Sequence, residues 1–235
     1  METSFYYGGW DAHIPMKEPF VTGYVQQKTE AENRNRMKQV YHTEISHLTE
    51  EHFQQMLHEV PEFRRQHALS YRNRNDTILC LAAYQLLKQA LGTKDNPVFY
   101  RNNFGKPYLT ELLDAGTPPF FNISHTHGLA VCVIADTEIG IDVETPFAFD
   151  ADLAEVICTP NELQTLEQLS INEKTTMLNR LWVQKESYLK AIGKGLLLEP
   201  KSIEIVKVTD YDLYVNDNFF GRFLAVCQQQ QRKSH

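Results

Sequence analysis

The spacing of apolar residues predicts two long helices in this chain. Between Asp76 and Leu91, apolar residues recur at helical spacing, and Gly92 follows as a stop signal. A second periodic segment runs from about Thr175 to Ile192 and is followed by Gly193. Because glycine readily adopts the left-handed conformation that closes a helix, we expect each segment to be a core helix that ends at its glycine.

Capping residues predict two shorter helices. Thr49, followed by Glu50 and Glu51, is typical of a helix start, because the hydroxyl accepts from a free amide group and acidic residues favour the positive helix end. Pro61 ends this helix. The sequence TPNE at residues 159–162 is a capping box, so a further helix is expected to begin there.

The remaining apolar runs are typical of strands. LAVCVIA at 129–135 and EIGIDVE at 138–144 are separated only by Asp136 and Thr137, which predicts a hairpin. The polar stretch 26–39 has no apolar period and is expected to be a loop or a frayed helix. Four further runs are also predicted to be strands: 5–14, 203–208, 211–215 and 223–227.

The order of these elements indicates a duplicated unit. A core helix that ends in glycine occurs once in each half of the chain, and strand-like sequence follows it both times. We therefore predict an α+β fold with two similar halves, an N-terminal half at 1–118 and a C-terminal half at 119–228. The glutamine-rich tail at 229–235 is expected to be disordered.

Composition restricts the class of protein. Hydrophobic residues make up 42% and charged residues 23% of the 235 positions, which is ordinary for a globular protein. No apolar run approaches the roughly 20 residues that a membrane helix needs, and the N-terminus lacks a basic region followed by apolar residues. We therefore expect a monomeric, cytoplasmic protein without a membrane segment or a signal peptide.

Charge and motif spacing argue against several other functions. The net charge is −7, and most of the acidic excess lies in residues 119–235, so nucleic acid is not an expected partner. The GxxxxGK[ST] and GxGxxG motifs of P-loop and dinucleotide enzymes do not occur. The cysteines are far apart, without zinc-binding spacing, and are expected to be free thiols: Cys80, Cys132, Cys158 and Cys227.

The strand EIGIDVET places two carboxylates on one side. Side chains alternate along a strand, so Asp142 and Glu144 project from one face while Ile139, Ile141 and Val143 project from the other. A solvated strand face would show the same alternation, and on this segment alone that interpretation is favoured. Two carboxylates together with phosphate oxygens are, however, the ligand set that Mg²⁺ takes.

The long C-terminal helix carries a second group of charged residues. Glu186 and Lys190 are separated by one helical turn and lie beside the predicted buried stripe. An ordinary surface pair would explain this spacing. Lys185, Lys190 and Lys194, however, cluster near the glycines of GKG at 193–195, where backbone and ammonium groups can approach a phosphate.

Two further segments carry polar groups of interest. Ser124 and His125 are neighbours on the extended segment PFFNISHTHG, so they point apart and do not form a hydrolytic dyad. Their hydroxyl and imidazole donors suit phosphate oxygens. Serine and histidine are also common at ordinary surface positions, so this segment alone does not decide between the two interpretations. Lys106, in the turn sequence FGKPY, is uninformative by itself.

Taken together and in this order, these segments resemble one known family. GKP at 105–107, FNISH at 121–125, GIDVE at 140–144 and WVQKESYLKAIGKGL at 182–196 are similar to the motifs of the surfactin-type 4'-phosphopantetheinyl transferases. The resemblance is firm over residues 105–196. It implies a pseudo-dimeric fold, in which each half has a small antiparallel sheet packed on a long helix and the active site lies in the cleft between the halves.

The resemblance also implies an activity and its residues. Such an enzyme moves the phosphopantetheine arm of coenzyme A, the co-substrate, onto a serine of an apo acyl or peptidyl carrier protein and releases 3',5'-ADP. By resemblance, Mg²⁺, with Mn²⁺ as an alternative ion, would be held by Asp142, Glu144 and Glu186. Glu186 would also be the candidate base, and Lys190 would stabilise the leaving group.

Coenzyme A contacts are expected from both halves of the chain. Lys106, Ser124 and His125, together with Lys185 and Lys190, are the expected phosphate contacts. If Asp76 aligns with an aspartate usual at that helix start, Arg64 and His67 fall where the family places basic contacts, and Cys80 replaces a usual hydroxyl. Arg65, Arg72 and Arg74 are alternatives that the sequence does not rank.

Two alternatives to a transferase remain open from the sequence. A non-catalytic module that binds coenzyme A or docks on a carrier protein would keep Lys106, Ser124 and His125, but it would not need three carboxylates. The predicted helices and strands are also consistent with a two-layer protein that has only a structural role. The sequence does not identify the carrier among those of fatty acid, polyketide and peptide synthesis.

Overall fold

The computed structural model describes residues 23–26, 39–110, 118–194 and 197–231. These residues form helices and small antiparallel sheets, as the sequence predicts. The helices are α1 Glu50–Glu59, α2 Glu62–Leu69, α3 Arg74–Ala90, α4 Ala151–Ile157, α5 Pro160–Glu167 and α6 Ile171–Ile192. The strands are β1 Gly23–Gln26, β2 Gln39–Glu44, β3 Phe99–Arg101, β4 Pro107–Leu109, β5 Phe120–Thr126, β6 Leu129–Ala135, β7 Ile139–Glu144, β8 Tyr211–Phe219 and β9 Arg222–Gln229.

The chain divides into two compact units. One comprises residues 1–97 and 123–134, and the other comprises residues 98–122 and 135–235. This division differs from the predicted boundary between residues 118 and 119. The physical reason is strand pairing: β6 pairs with β2, which places 129–134 in the first unit although this segment lies late in the chain.

The first unit contains a sheet of four strands in the order β1-β2-β6-β5 and the buried helix α3. Asn73 caps α3 by accepting a hydrogen bond from the backbone amide of Asn75, and Gly92 follows the helix with a φ of +65°. Thr49 caps α1, as predicted, and His52 completes a capping box with it, while Val60 ends the helix immediately before Pro61. The predicted core helix and its glycine stop are therefore confirmed.

The second unit is built around α6 and a sheet of three strands in the order β7-β9-β8. Helix α6 begins at the capping box of Ser170 and Glu173, earlier than predicted, and ends at Gly193, whose φ is +62°. The box at 159–162 caps α5, as predicted. Val183 of α6 packs against Phe223 and Ala225, so the helix covers one face of this sheet.

Two strand predictions are wrong. Segments 129–135 and 138–144 do not form a hairpin, because β6 pairs with β2 while β7 pairs with β9 in a different sheet. Segment 203–208 is not a strand. Ile205–Lys207 forms a 3-10 turn, and Val206 is 86% exposed, so the apolar residues of this segment do not share one buried face.

The C-terminal boundary also moves. Gln229 belongs to β9, and the backbone amide of Gln230 donates to the Asp210 carbonyl, so the folded chain continues past residue 228. Residues 232–235 of the predicted tail, the predicted strand at 5–14 and most of the stretch 26–39 lie outside the described residues.

Within the part of the chain that the structure describes, no helix is both long enough and apolar enough to cross a membrane. The four cysteines are free and buried.

Candidate active site

The site is built where β7 crosses α6 at very short range. Gly140 of β7 has no side chain, and a Cβ placed there would lie 2.0 Å from the backbone oxygen of Ser187 and 2.4 Å from the backbone nitrogen of Ala191. Ser187 and Ala191 are small and fully buried, one helical turn apart on α6. Glycine on the strand and two small residues on the helix therefore allow the backbones to meet.

This close approach places the acidic face of β7 against the helix. Asp142 pairs with Ala225 and Glu144 with Phe223 across the β7–β9 ladder, so they share the face that α6 covers. Asp142 is only 3% exposed. The interpretation as a solvated strand face is therefore wrong for Asp142, although the alternation itself is confirmed, because Ile139, Ile141 and Val143 are buried on the other side.

Lys190 meets Asp142 across this contact. The Nζ atom of Lys190 donates to Oδ1 of Asp142 at 2.5 Å, and the Lys190 side chain is 30% exposed while that of Asp142 is 4% exposed. Lys190 is therefore bonded to the strand rather than paired only with Glu186 along its own helix. One side of its ammonium faces a buried carboxylate, and the remaining exposure leaves the group accessible to a ligand.

The other two predicted carboxylates lie near this pair. The indole nitrogen of Trp182 donates to Oε1 of Glu144 at 3.5 Å, which ties Glu144 to α6. Burial raises the pKa of Glu186, Lys190 lowers it, and the nearby carboxylates of Asp142 and Glu144 raise it further. The structure thus brings Asp142, Glu144 and Glu186 close enough to repel one another electrostatically.

These carboxylates fit a divalent cation by their chemistry. Hard oxygen donors suit Mg²⁺, and a bound cation would relieve the repulsion from Asp142 and Glu144, which adds to the effect of burial on the pKa of Glu186. Among residues 40–110, 118–194 and 197–231, no three acidic, histidine or cysteine side chains are already gathered at metal-ligand spacing. The ammonium of Lys190 supplies positive charge to Asp142 instead.

Lys185 is held by internal acceptors. It is fully buried, and its Nζ atom donates to Oε2 of Glu162 at 2.5 Å, to the Ile157 carbonyl at 2.6 Å and to the Pro200 carbonyl at 3.1 Å. An ammonium has three donors, so these acceptors use all of them. In this structure Lys185 joins α6 to the end of α4, the first turn of α5 and Pro200, and its contact with a coenzyme A phosphate stays a prediction.

Lys106 is also held internally rather than presented to a ligand. Its Nζ atom donates to Glu138 at 2.5 Å, to the Ala191 carbonyl at 2.6 Å and to the Ile139 carbonyl at 3.3 Å. Its side chain is 6% exposed. A phosphate contact of this ammonium stays a prediction as well. Lys194, by contrast, is exposed.

Ser124 and His125 lie on β5 in the first unit. Ser124 is buried, at 7% exposure, and His125 is half-buried. They point in opposite directions on the strand, as predicted, so they do not act as a dyad. Their phosphate contacts stay a prediction.

Asn122 is a residue that sequence reasoning left without a role. Its Oδ1 atom accepts a hydrogen bond from the backbone amide of Ile141 at 3.0 Å, although the two residues are 19 positions apart. This bond fixes β7 immediately before Asp142. The signal was present in FNISH, because a buried asparagine inside a strand needs a partner for its amide.

Arg64 lies among groups of the first unit. Its Nη1 atom donates to the sulfur of Cys80 at 3.7 Å, and its guanidinium carbon lies 5.0 Å from the centre of the Tyr84 ring. Its Nε atom is buried and has no hydrogen-bond partner among the described residues. Burial raises the pKa of Cys80, and Arg64 lowers it. Arg64 therefore faces the cysteine that was expected to replace a hydroxyl.

The alternative arginines differ in their surroundings. Arg65 donates to Glu62 and to the Leu57 carbonyl, and Arg74 pairs with Glu50 and stacks over Phe53 at 4.3 Å. Within the described chain, no hydrogen bond or ion pair involves the exposed side chain of Arg72. These contacts give Arg65 and Arg74 local structural roles.

Part of the chain is similar in sequence to known proteins. Residues 138–234 match the model of the 4'-phosphopantetheinyl transferase superfamily. The chain is 35% identical over 113 residues to 4'-phosphopantetheinyl transferase gsp of Aneurinibacillus migulanus, which covers 48% of this chain and 45% of the relative. It is 33% identical over 107 residues to 4'-phosphopantetheinyl transferase Sfp of Bacillus subtilis (strain 168), covering 46% of each.

A third relative gives a similar result. The chain is 38% identical over 95 residues to 4'-phosphopantetheinyl transferase HetI of Nostoc sp., covering 39% of this chain and 40% of the relative. The matched region thus spans a little under half the length of these curated relatives. The family-model match at 138–234 includes β7 and α6, which carry Asp142, Glu144, Glu186 and Lys190. Residues 138–234 are therefore similar to the 4'-phosphopantetheinyl transferase superfamily.

Proposed function

We propose that this protein transfers the 4'-phosphopantetheine arm of coenzyme A to a serine of an apo acyl or peptidyl carrier protein and releases 3',5'-ADP. The observation that carries the proposal is the group of three carboxylates and one lysine where β7 crosses α6. This group lies wholly within the region that matches the superfamily. The proposal includes a monomeric, cytoplasmic enzyme with the duplicated, pseudo-dimeric fold that the sequence predicts.

Asp142, Glu144 and Glu186 would hold Mg²⁺, with Mn²⁺ as an alternative ion. When bound, the cation would neutralise negative charge on the pyrophosphate of coenzyme A and help to orient it for in-line attack. Asp142 would then share its carboxylate between the cation and Lys190, with which it is bonded in this structure. A buried aspartate with two oxygens has the acceptor capacity to do so.

Lys190 is proposed to stabilise the leaving group. Its bond to Asp142 fixes the position of the ammonium, while its partial exposure leaves the group within reach of a phosphate oxygen. In the transfer, the serine oxygen forms a bond to the pantetheine-side phosphorus, and the bond from that phosphorus to the bridging oxygen of the pyrophosphate breaks. The negative charge that develops on 3',5'-ADP is the charge that Lys190 would meet.

Glu186 is proposed to accept the proton of the attacking serine, directly or through water. Burial and the neighbouring carboxylates raise its pKa, which makes it a stronger base than an exposed glutamate while Lys190 moderates the shift. Glu186 lies one helical turn before Lys190 on α6. The same helix would thus carry the group that receives the proton and the group that stabilises the departing charge.

The coenzyme A contacts in the first unit belong to the same proposal. Ser124, His125 and Arg64 are the residues we propose for its phosphates. Arg64 is supported by its buried Nε atom, which has no hydrogen-bond partner among the described residues and so retains donor capacity. Lys106 and Lys185 stay predicted phosphate contacts in the second unit, although internal acceptors use the three donors of each ammonium in this structure.

The test is one incubation of the protein with coenzyme A, Mg²⁺ and an apo carrier protein, followed by mass spectrometry of the carrier. We expect the carrier to gain one phosphopantetheine group and expect excess EDTA to prevent the gain. A carrier in which the acceptor serine is replaced by alanine is the matched control. An unmodified carrier, with coenzyme A binding retained, would instead support a non-catalytic binding or docking module.

A further inference from the structure

Lys106 lies in the turn of the β3–β4 hairpin, and its side chain reaches away from the hairpin toward β7 and α6 of the same unit. The three groups that accept from its Nζ atom are the Glu138 carboxylate and the carbonyls of Ile139 and Ala191. Ile139 is the first residue of β7, and Ala191 is in the last turn of α6. A single ammonium therefore bonds to the beginning of the strand and to the end of the helix that together carry the candidate active site.

The same hairpin turn also closes the end of α6. The side-chain amide of Asn102 donates to the Gly193 carbonyl at 2.8 Å, and its Oδ1 atom accepts from the backbone amides of Phe104 and Lys106. The last carbonyls of a helix have no partner within the helix, and Asn102 and Lys106 satisfy two carbonyls at this end. The turn thus acts as a cap that is supplied from a distant part of the chain.

Two donors bind the carboxylate of Glu138, one to each oxygen. The hydroxyl of Tyr108 donates to its Oε1 atom at 2.9 Å, while Lys106 bonds to Oε2. Burial lowers the pKa of Lys106, and the bond to Glu138 raises it. The buried ammonium therefore depends on this carboxylate, and the carboxylate is fixed by two donors from the same hairpin.

We infer that Lys106 is a positioning residue, which clamps the start of β7 to the C-terminal end of α6 and so holds Asp142 and Lys190 within hydrogen-bond distance. Asp142 is three residues beyond Ile139, and Lys190 is adjacent to Ala191, so both ends of the Asp142–Lys190 bond are close to the clamp. The effect on catalysis rests on the proposed transferase function. The clamp itself is a statement about the protein without substrate.

This role differs from a coenzyme A contact in what a mutation changes. A ligand contact would raise the dissociation constant of coenzyme A when it is removed. A positioning residue would leave that constant nearly unchanged and lower kcat, because the reacting groups would no longer be held in place. A residue needed only for folding would lower the melting temperature without altering kcat well below the melt.

The experiment compares Lys106→Met, Lys106→Arg and Asn102→Ala with the full-length wild type. Steady-state kinetics give kcat, calorimetry gives the coenzyme A dissociation constant, and thermal melts give stability. Hydrogen exchange of peptides covering 139–144 and 186–192 is measured on the same proteins. Leu166→Ala is the matched control, because it removes packing in the cluster of α4, α5 and α6 that lies away from the clamp.

For Lys106→Met we expect kcat to fall roughly tenfold or more, with the coenzyme A dissociation constant within about threefold of wild type. Amide exchange should rise in both peptides, and Lys106→Arg should restore part of each loss because it keeps the charge but not the compact geometry. Leu166→Ala should melt lower but keep its kcat. If Lys106→Met does not fold, the same measurements on Lys106→Arg and Asn102→Ala are compared with those on the wild type.

A raised coenzyme A dissociation constant with unchanged exchange in both peptides would overturn the clamp and return Lys106 to the ligand site. An unchanged kcat in a folded Lys106→Met protein would overturn it as well. If the wild type itself transfers no phosphopantetheine, the proposed function fails. The exchange of the two peptides then still decides whether Lys106 holds β7 to α6, because that measurement needs no turnover.

Discussion

Lys190 of α6 donates a hydrogen bond to Asp142 of β7 at 2.5 Å, across 48 positions of the chain. The bond depends on Gly140, two residues before Asp142, because only a residue without a side chain allows the strand to come so close to α6. It brings a partly exposed ammonium to a buried carboxylate. The proposed mechanism and the inferred clamp both depend on this pair.

Gly140→Ala tests the close approach of strand and helix. The added methyl group would lie about 2.0 Å from the Ser187 carbonyl, which is backbone and cannot turn aside. We expect β7 and α6 to separate, with a melting temperature lower by several degrees and loss of most transferase activity. Ile141→Val, on the opposite face of the same strand, is the control and should keep most of both. Normal activity in Gly140→Ala would show that the contact is not required.

Lys185→Met tests whether the buried Lys185 stabilises the fold or contacts coenzyme A. Removing the ammonium leaves Glu162 without its partner, and breaking a buried ion pair of this kind costs about 3–5 kcal/mol of the free energy of unfolding. We expect a lower melting temperature and an unchanged KM for coenzyme A. Lys185→Met combined with Glu162→Leu should recover part of the stability. A raised KM with an unchanged melting temperature would instead place Lys185 in the ligand site.

His42 gives the protein a sensitivity to acid. Burial lowers the pKa of His42 from 6.5 to about 4, and Glu44 offsets part of the shift. The unfolded chain therefore binds a proton at higher pH than the folded protein does. Stability is full above about pH 6.5 and falls as the pH is lowered toward 4, by about 3 kcal/mol from this group.

Urea unfolding at pH 7 and pH 4 measures this effect. His42→Leu should show a smaller loss of unfolding free energy between the two pH values than the wild type shows. His58→Leu, at an exposed histidine, should behave like the wild type. An equal loss in His42→Leu and wild type would mean that His42 does not cause the acid sensitivity.

A basic and apolar surface in the first unit is our candidate for carrier docking. Phe63 and Leu69 are more than half exposed, and Tyr71 and Arg72 are exposed beside them in sequence. An acidic carrier would be attracted by Arg72, since the protein as a whole is itself acidic. Arg72→Glu should raise the KM for the carrier at low salt and leave the KM for coenzyme A unchanged. An unchanged carrier KM would reject this surface.

Much of the fold was predictable because it depends on local signals. The glycine after α6 and the capping boxes of Thr49 and Thr159 act within a few residues, and the structure confirms them. The alternation in EIGIDVE identified which residues share a face of β7. Strand pairing was less predictable. Segments 129–135 and 138–144 were predicted to form a hairpin with each other. They pair instead with β2 and β9, which are distant from them in the sequence.

The sequence indicated the carboxylates and Lys190 of the candidate site, but it did not show the internal acceptors of Lys106 and Lys185. A lysine in a turn and a lysine on an amphipathic helix look alike in sequence whether they face solvent or internal acceptors. The acceptors of Lys106 include Ala191, which is 85 positions away, and those of Lys185 include Ile157, 28 positions away. Because such contacts exist only in the folded chain, the sequence could not show that both ammonium groups are already satisfied.

Glu186→Gln is the variant that separates an active site from a structural pair of charges. The raised pKa of Glu186 means that folding disfavours its charged form, so this group weakens folding above its unfolded pKa, and the penalty is relieved as the pH falls through the folded pKa. Glutamine is neutral at every pH. We therefore expect the metal-free variant to melt at the wild-type temperature or higher at pH 7.

The most direct test of the central claim is kcat/KM for phosphopantetheine transfer by Glu186→Gln, measured beside its thermal melt. The account predicts a loss of about a hundredfold or more in a protein that is at least as stable as the wild type, since a proton acceptor and a ligand charge are removed together. Near-normal kcat/KM in the folded variant would contradict it, and would mean that the charges between β7 and α6 only hold the fold together.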